Sequence, residues 1–198
     1  HLCDRRQRQM CIRDRYLQQF GVMASAYMQS VMGVENPRIS LLNNGEEAEK
    51  GCELTKAAYK LLSAAPINFA GNCEAREVLS GEFDALVCDG FVGNVVLKYT
   101  EGLASSMMAM LKTELTADFK SKIGAALSMD AFRRFKKKMD YKEVGGAPLL
   151  GINGCVIKAH GSSDAKAFAS AIRQAELFVK GNVNPKIAEA IASLPDEE

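Results

Sequence analysis

The sequence predicts an α/β fold in which a mostly parallel sheet is covered by helices on both faces, an α/β/α sandwich. Three observations carry that expectation. Short apolar runs of strand length alternate with longer segments whose apolar residues recur every three or four positions. Such alternation belongs to parallel strands joined by helical crossovers. Two glycine-rich turns, at residues 89–94 and around Gly161, each leave a strand-like run and open a helix-like one. Finally, 198 residues, 47% hydrophobic and 25% charged, suffice for a genuine core.

Taken in order, the first helix face is Leu17, Phe20, Met23, Ala24, Tyr27, Met28 and Val31. Gly33 ends it, and Asn36-Pro37 begins a turn. A strand at 39–42 leads into Asn43-Asn44-Gly45. A helix from about Glu46 to Ala65 follows, acidic in its first turn as the helix dipole favours. Pro66 breaks it, and the next strand is 67–71. A third strand, 85–88, enters the turn Asp89-Gly90-Phe91-Val92-Gly93-Asn94.

From Val95 to about Met139 the pattern is helical, with a break expected near Gly124 or Ser128. Leu111, Leu115, Phe119, Ile123 and Leu127 recur there at steps of four. The fourth and fifth strands fall within residues 145–163, GGAPLLGINGCVIKAHGSS, whose most strand-like run is 155–159. Two helices close the chain. One runs from Ser163 to about Lys180; the other has Asn184 as N-cap and Pro185 at its first position.

The first fifteen residues, HLCDRRQRQMCIRDR, hold five arginines and two aspartates with almost no apolar periodicity. A basic arm that touches nucleic acid or acidic lipid is one reading. We expect instead a foreign leader over 1–15, translated adapter or cloning sequence, ahead of a single incomplete domain over 16–198. Without that leader the net charge of +1 turns slightly negative, which disfavours nucleic acid as a partner.

No apolar run approaches the ~20 residues of a membrane span, and the start lacks the apolar core of a secretory signal. Six cysteines stand without a CxxC pair, and Cys88 and Cys155 lie in apolar runs as small buried hydrophobes. A reducing compartment and no zinc or other metal site are expected.

Chemistry is expected where parallel strands end, because ligands bind beyond their carboxyl ends. Gly90 and Gly93 allow tight bending or close approach to a ligand, although the turn matches neither GxGxxG nor a Walker A sequence. It either cradles an anion or is a strand-to-helix turn capped by Asn94. Lys98, one helical turn on, either points a cation at the same anion or is a surface lysine. His160-Gly161-Ser162-Ser163 likewise either offers free N–H groups to phosphate or forms a glycine turn with a serine N-cap.

Asp164, in the first helical turn, already brings a carboxylate into that field. Asn43-Asn44-Gly45-Glu46-Glu47 and Gly71-Asn72-Cys73-Glu74 are polar turns at further strand ends. The basic cluster Arg133, Arg134, Lys136, Lys137 and Lys138 is interleaved with Phe132, Phe135 and Met139. It reads as a solvated face, a dock for an acidic protein, or a contact with an anionic membrane at about 1 kcal/mol per basic side chain.

The segments ENPRISLLNNGEEAEKG, APINFAGNCEA, DALVCDGFVGNVVLKYTEG and GGAPLLGINGCVIKAHGSSDAKAFASAIRQA resemble the bacterial phosphate acyltransferase family of phospholipid synthesis. The likeness runs from about Tyr16 to Val183, four motifs in the family's order. It implies transfer of an acyl group from acyl carrier protein to inorganic phosphate, giving an acyl phosphate. The resemblance further implies a fold like phosphotransacetylase and isopropylmalate dehydrogenase, a homodimer, and a cytoplasmic protein bound peripherally to membrane. No cofactor is implied, and a glycerol-3-phosphate acyltransferase would act downstream. The family's N-terminal half, with its DxMGGD-type motif, is not in this sequence.

On that resemblance, Gly90, Gly93, Asn94, Lys98, Gly161, Ser162 and Ser163 are expected to hold phosphate. His160 or Lys158 would donate to the oxyanion or protonate the departing thiolate; the alternative for His160 is a core histidine satisfied by a backbone carbonyl. The rival enzyme is a phosphotransacetylase acting on coenzyme A thioesters. The rival non-enzyme is a membrane or carrier-protein module built on residues 111–139.

Overall fold

The computed structural model describes residues 12–138, 146–161 and 163–195. Its elements are α1 (Asp14–Tyr27), a π-helical turn (Met28–Met32), β1 (Ile39–Asn43), α2 (Glu53–Ala64), β2 (Phe69–Glu74) and a 3-10 turn (Ala75–Glu77). They continue with β3 (Ala85–Val87), α3 (Gly90–Leu115), α4 (Phe119–Leu127) and α5 (Met129–Lys138). The chain then forms β4 (Gly146–Pro148), β5 (Ile157–Ala159), α6 (Ala165–Lys180) and α7 (Val183–Ala192).

The predicted α/β class is what the chain adopts. β1 lies between β2 and β3 and pairs with both in parallel. Leu17 from α1, Ala58 and Leu62 from α2, and Ile39, Leu41 and Val87 from the strands form one buried cluster. Gly21 lets α1 approach α2, since a Cβ there would stand 2.5 Å from Leu62 Cδ2. Gln18 fastens the pair, its Nε2 donating to Leu61 O at 3.0 Å. β4 and β5 form a separate antiparallel pair. A second buried cluster joins Ala26 of α1, Phe178 of α6, and Val183 and Ile187 of α7.

Several boundaries differ from the sequence reading, each for a local reason. The helix expected from Glu46 begins at Glu53, because the chain turns through Gly51 at φ 94°. Asn43 Nδ2 also donates to Lys50 O at 3.0 Å and keeps 44–50 in a loop. The strand expected to stop at Gly71 continues to Glu74. Gly71, at φ 93°, sits in the irregularity between the pairs Ile39–Phe69 and Leu41–Asn72 rather than at a strand end.

The long helix starts at Gly90 instead of Val95 and breaks twice. Ser128 is one break; the other precedes Phe119, where Asp118 caps α4 by accepting from Ser121 N at 2.8 Å. Gly124 lies inside α4. The last helix begins at Val183 with Asn182 at its N-cap, φ 51°. Asn184 instead donates to Ile152 O (3.1 Å) and Gly154 O (2.9 Å), holding the loop between β4 and β5. Cys88 and Cys155 are half-buried, while Cys73 is the fully buried thiol. α1 begins at Asp14, within the expected leader, and Arg15 donates to Pro195 O at 2.6 Å. Residues 1–11 lie outside the described residues.

Candidate active site

Because β1, β2 and β3 are parallel, their carboxyl ends share one edge of the sheet. Two of the turns singled out from sequence leave that edge, 43–47 and 89–94; the third, Gly71-Asn72-Cys73-Glu74, is not a turn but the second half of β2, paired with β1. At the 89–94 turn the cap is Asp89 rather than Asn94. Its Oδ1 accepts from Phe91 N (2.8 Å) and Val92 N (2.9 Å), and its carbonyl accepts from Gly93 N at 2.9 Å. The first-turn donors that an anion would use are therefore held by a carboxylate of the chain itself. Gly93 has a packing reason, since a Cβ would meet Cys88 Sγ at 3.0 Å, whereas Gly90 faces open space. Asn94 and Lys98 are exposed. Lys98 Nζ pairs with Glu101 Oε2 at 2.8 Å, so its charge is directed along α3.

The second candidate element follows β5. Burial alternates along 157–160, leaving Lys158 and His160 as the exposed positions on one strand face. Gly146 permits the tight β4–β5 pairing beneath them, since a Cβ would stand 2.7 Å from Ile157 Cγ2. The chain turns at His160, whose carbonyl accepts from Ser163 N at 3.0 Å. Asp164, not Ser163, caps α6 by accepting from Ala167 N at 3.0 Å. Gly161 is exposed, Ser163 Oγ is a buried oxygen without a partner among the described residues, and Ser162 lies outside them.

Glu101 is held below the usual carboxylate range chiefly by its hydrogen bond from Lys98, and to a smaller degree by the charges of Lys98 and His160. Glu101 itself lies roughly 16 Å along α3 from Gly90 at 1.5 Å per residue.

The sequence reading underrated Asn72. It is 5% exposed, and its Nδ2 donates to Glu47 O at 2.8 Å, clamping the 43–47 loop to β2. Its Oδ1 is buried without a partner among the described residues. Arg76 braces the same edge, pairing with Glu74 at 2.8 Å and Glu46 at 3.3 Å. The only sequence signal for this clamp was polar residues just past strand ends.

The basic cluster lies on α5. Arg133 and Arg134 are exposed, and Arg133 pairs with Asp130 at 3.1 Å. The side chains of Lys136, Lys137 and Lys138 lie outside the described residues. No helix among the described residues is long and apolar enough to cross a membrane, and none of their acidic, cysteine or histidine groups has metal-binding geometry.

A family model described as "Fatty acid synthesis protein" matches residues 8–186. The chain is 55% identical over 177 residues to the phosphate acyltransferase of Clostridium perfringens strain SM101, covering 89% of this chain and 52% of that one. It is 51% identical over 184 residues to the phosphate acyltransferase of Alkaliphilus oremlandii, covering 93% of this chain and 55% of the relative. A Clostridium botulinum phosphate acyltransferase is 52% identical over 179 residues, covering 90% and 53%. The chain spans about half the length of these curated relatives. With the match covering both glycine-rich turns and the strands that deliver them, the chain belongs to the fatty acid synthesis protein family.

Proposed function

We propose that the chain carries part of an enzyme that moves a fatty acyl group from acyl carrier protein to inorganic phosphate, forming the acyl phosphate used in phospholipid synthesis. The observation that carries this reading is the 55% identity to a phosphate acyltransferase across 89% of the chain. A phosphate group, with a second pKa of about 6, is already a competent nucleophile near neutrality. Holding it against the thioester is therefore the main task, and positioning supplies much of the rate. A phosphate oxygen attacks the thioester carbonyl carbon, the C–S bond breaks, and the thiolate leaves.

His160 or Lys158, side by side on the exposed face of β5, would stabilise the oxyanion and protonate the thiolate. Gly90, Gly93, Asn94, Lys98, Gly161, Ser162 and Ser163 would line the phosphate position. Asp89 and Asp164 already occupy the helix N-termini, so the attraction for the dianion must come from Lys98, Lys158 and His160 rather than from the helix dipoles alone.

The apolar and basic faces of α3 to α5 suit two partners of this chemistry, the acidic carrier protein and an anionic membrane surface. A homodimer is a further expectation. Pelleting with anionic and with neutral vesicles, before and after charge reversal at Arg133 and Arg134, tests the membrane contact.

The enzymatic test joins this chain to the half of the C. perfringens relative outside the match and supplies acyl carrier thioester and phosphate. Acyl phosphate is expected, with a loss of at least tenfold (about 1.4 kcal/mol) in His160→Ala. Turnover with coenzyme A thioesters alone would reassign the donor. No acyl phosphate from either donor would remove the proposal, and an unaffected His160→Ala would remove that residue's role.

A further inference from the structure

α6 is apolar on two opposite sides. Ala167, Ser170, Ala171 and Phe178 are buried at 2%, 4%, 7% and 3% exposure, turned inward. The helix lies on the β4–β5 pair and the π-helical turn. At about 100° per residue, Ala165, Phe168, Ala169, Ile172 and Val179 fall on the other side. Phe168, Ile172 and Val179 are 60%, 63% and 62% exposed. The first two turns of that outer side, with Ser163 and Asp164, form an open groove of about 440 Å³. A helix with two apolar faces belongs between two layers, and only one layer is present among the described residues. The β4–β5 pair below it is equally incomplete, since a two-stranded sheet is marginal by itself.

We infer that the outer face of α6, Phe168, Ile172 and Val179 with the groove at its N-terminal end, is where the half of the relatives' fold not spanned by this chain packs. The chain covers 52% of the C. perfringens relative, and a comparable length of that relative lies outside the match. An anionic membrane fits this face poorly. Its charge is mixed, Asp164 and Glu176 against Lys166, Arg173 and Lys180, with Glu176 paired to Lys180 at 2.6 Å, rather than the dense basic cluster of a membrane-surface helix. The inference concerns packing and holds whether or not the acyl-transfer reading does.

The test co-expresses this chain with the tagged half of the C. perfringens relative that lies outside the match, and measures how much chain is captured. Capture is expected for the unaltered chain. The pair Phe168→Asp and Ile172→Asp should lower it at least tenfold, while Leu103→Asp with Met110→Asp on α3 should leave it unchanged. The α6 positions are largely exposed, so the chain alone should keep its thermal midpoint when they are altered. Radical footprinting without substitutions gives a second reading: oxidation of Phe168 and Ile172 should fall at least tenfold in the co-expressed complex. Failure of capture, capture that survives the α6 pair, or unchanged footprints would overturn the inference. So would concentration-dependent self-association of the chain abolished by the α6 pair, which would assign the face to a second copy.

Discussion

The sheet with α1 and α2 and the helical run α3 to α5 use apolar residues in opposite ways. In the first region Leu17, Ile39, Leu41, Ala58 and Leu62 are at 0–1% exposure and meet one another in a single cluster. In the second, neither α3 nor α4 has a buried residue. Phe91 is 79% exposed, Met110 68% and Leu127 84%. Each buried aliphatic side chain stabilises by about 1.5–3 kcal/mol relative to exposure, so the sheet region covers its own apolar residues. The helical run holds comparable apolar surface in solvent, and patches of this kind mark sites of association. The contrast separates the part that buries its apolar residues from the part that leaves them in solvent.

The largest effect should come from cutting the sheet-side core. Leu62→Ala, at a position 0% exposed, should cost about 2–5 kcal/mol through lost transfer energy and the cavity left behind. Leu103→Ala, 45% exposed on α3, should stay within about 0.5 kcal/mol. Urea unfolding of both variants measures the gap. Equal costs would mean that α3 is packed as tightly as the sheet region, and the contrast would be lost.

Removing caps is the next smaller perturbation, at about 1 kcal/mol each. Asp164→Ala should lower the thermal midpoint of the whole chain, because α6 is locked to α1 through the Phe178 cluster. Asp89→Ala should instead raise amide exchange along the first turns of α3 while leaving the midpoint almost unmoved, since local opening there does not disturb a buried cluster. A drop in midpoint with Asp89→Ala would show that α3 unfolds cooperatively with the sheet.

The smallest effects are chemical. Burial first, then the charges of Glu77, Glu82 and Glu74, push the Cys73 thiol from its ordinary 9.0 up to about 11. The folded state therefore keeps a proton that the unfolded chain releases. The associated stability is present below pH 9 and declines as pH rises from 9 towards 11; Cys73→Ala should flatten that decline. Cys52, exposed at the start of α2, is held below its ordinary value chiefly by its hydrogen bond with the Thr55 backbone. Iodoacetamide at pH 8 should label Cys52 at least tenfold faster than Cys73. Equal rates would mean that the β2 edge opens far more readily than its burial implies.

Much of the fold was legible because the period of apolar residues is a local property. The spacing of Leu17, Phe20, Met23 and Ala24 announced α1, and the apolar runs at 39–42 and 85–88 announced β1 and β3. Boundaries failed where a side chain redirected the backbone. Asn43 bonding Lys50 O delayed α2, Asp118 split the long helix, and Gly71 carried β2 through an irregularity where a turn was expected.

The site was half legible. Glycines and a histidine past strand-like runs marked two turns that do precede helices, and Asp164 was placed beside its helix. Asp89 as the cap of α3 was missed, because Asp and Asn are equally good caps by residue type and only geometry says which carboxyl or amide reaches the first-turn N–H groups. Asn72 was seen only as one polar turn residue among several.

What the sequence by itself determined is the alternation of elements, the glycine-rich turns, and the family they resemble, since each depends on residues close together along the chain. What only the tertiary structure decided is which faces remain uncovered and which charges meet. Arg76 pairs with Glu46, Asn72 clamps the 43–47 loop to β2, and α6 keeps an apolar side open. Pairings of this sort join residues far apart in sequence, and their energies depend on distance and burial, neither of which local periodicity encodes.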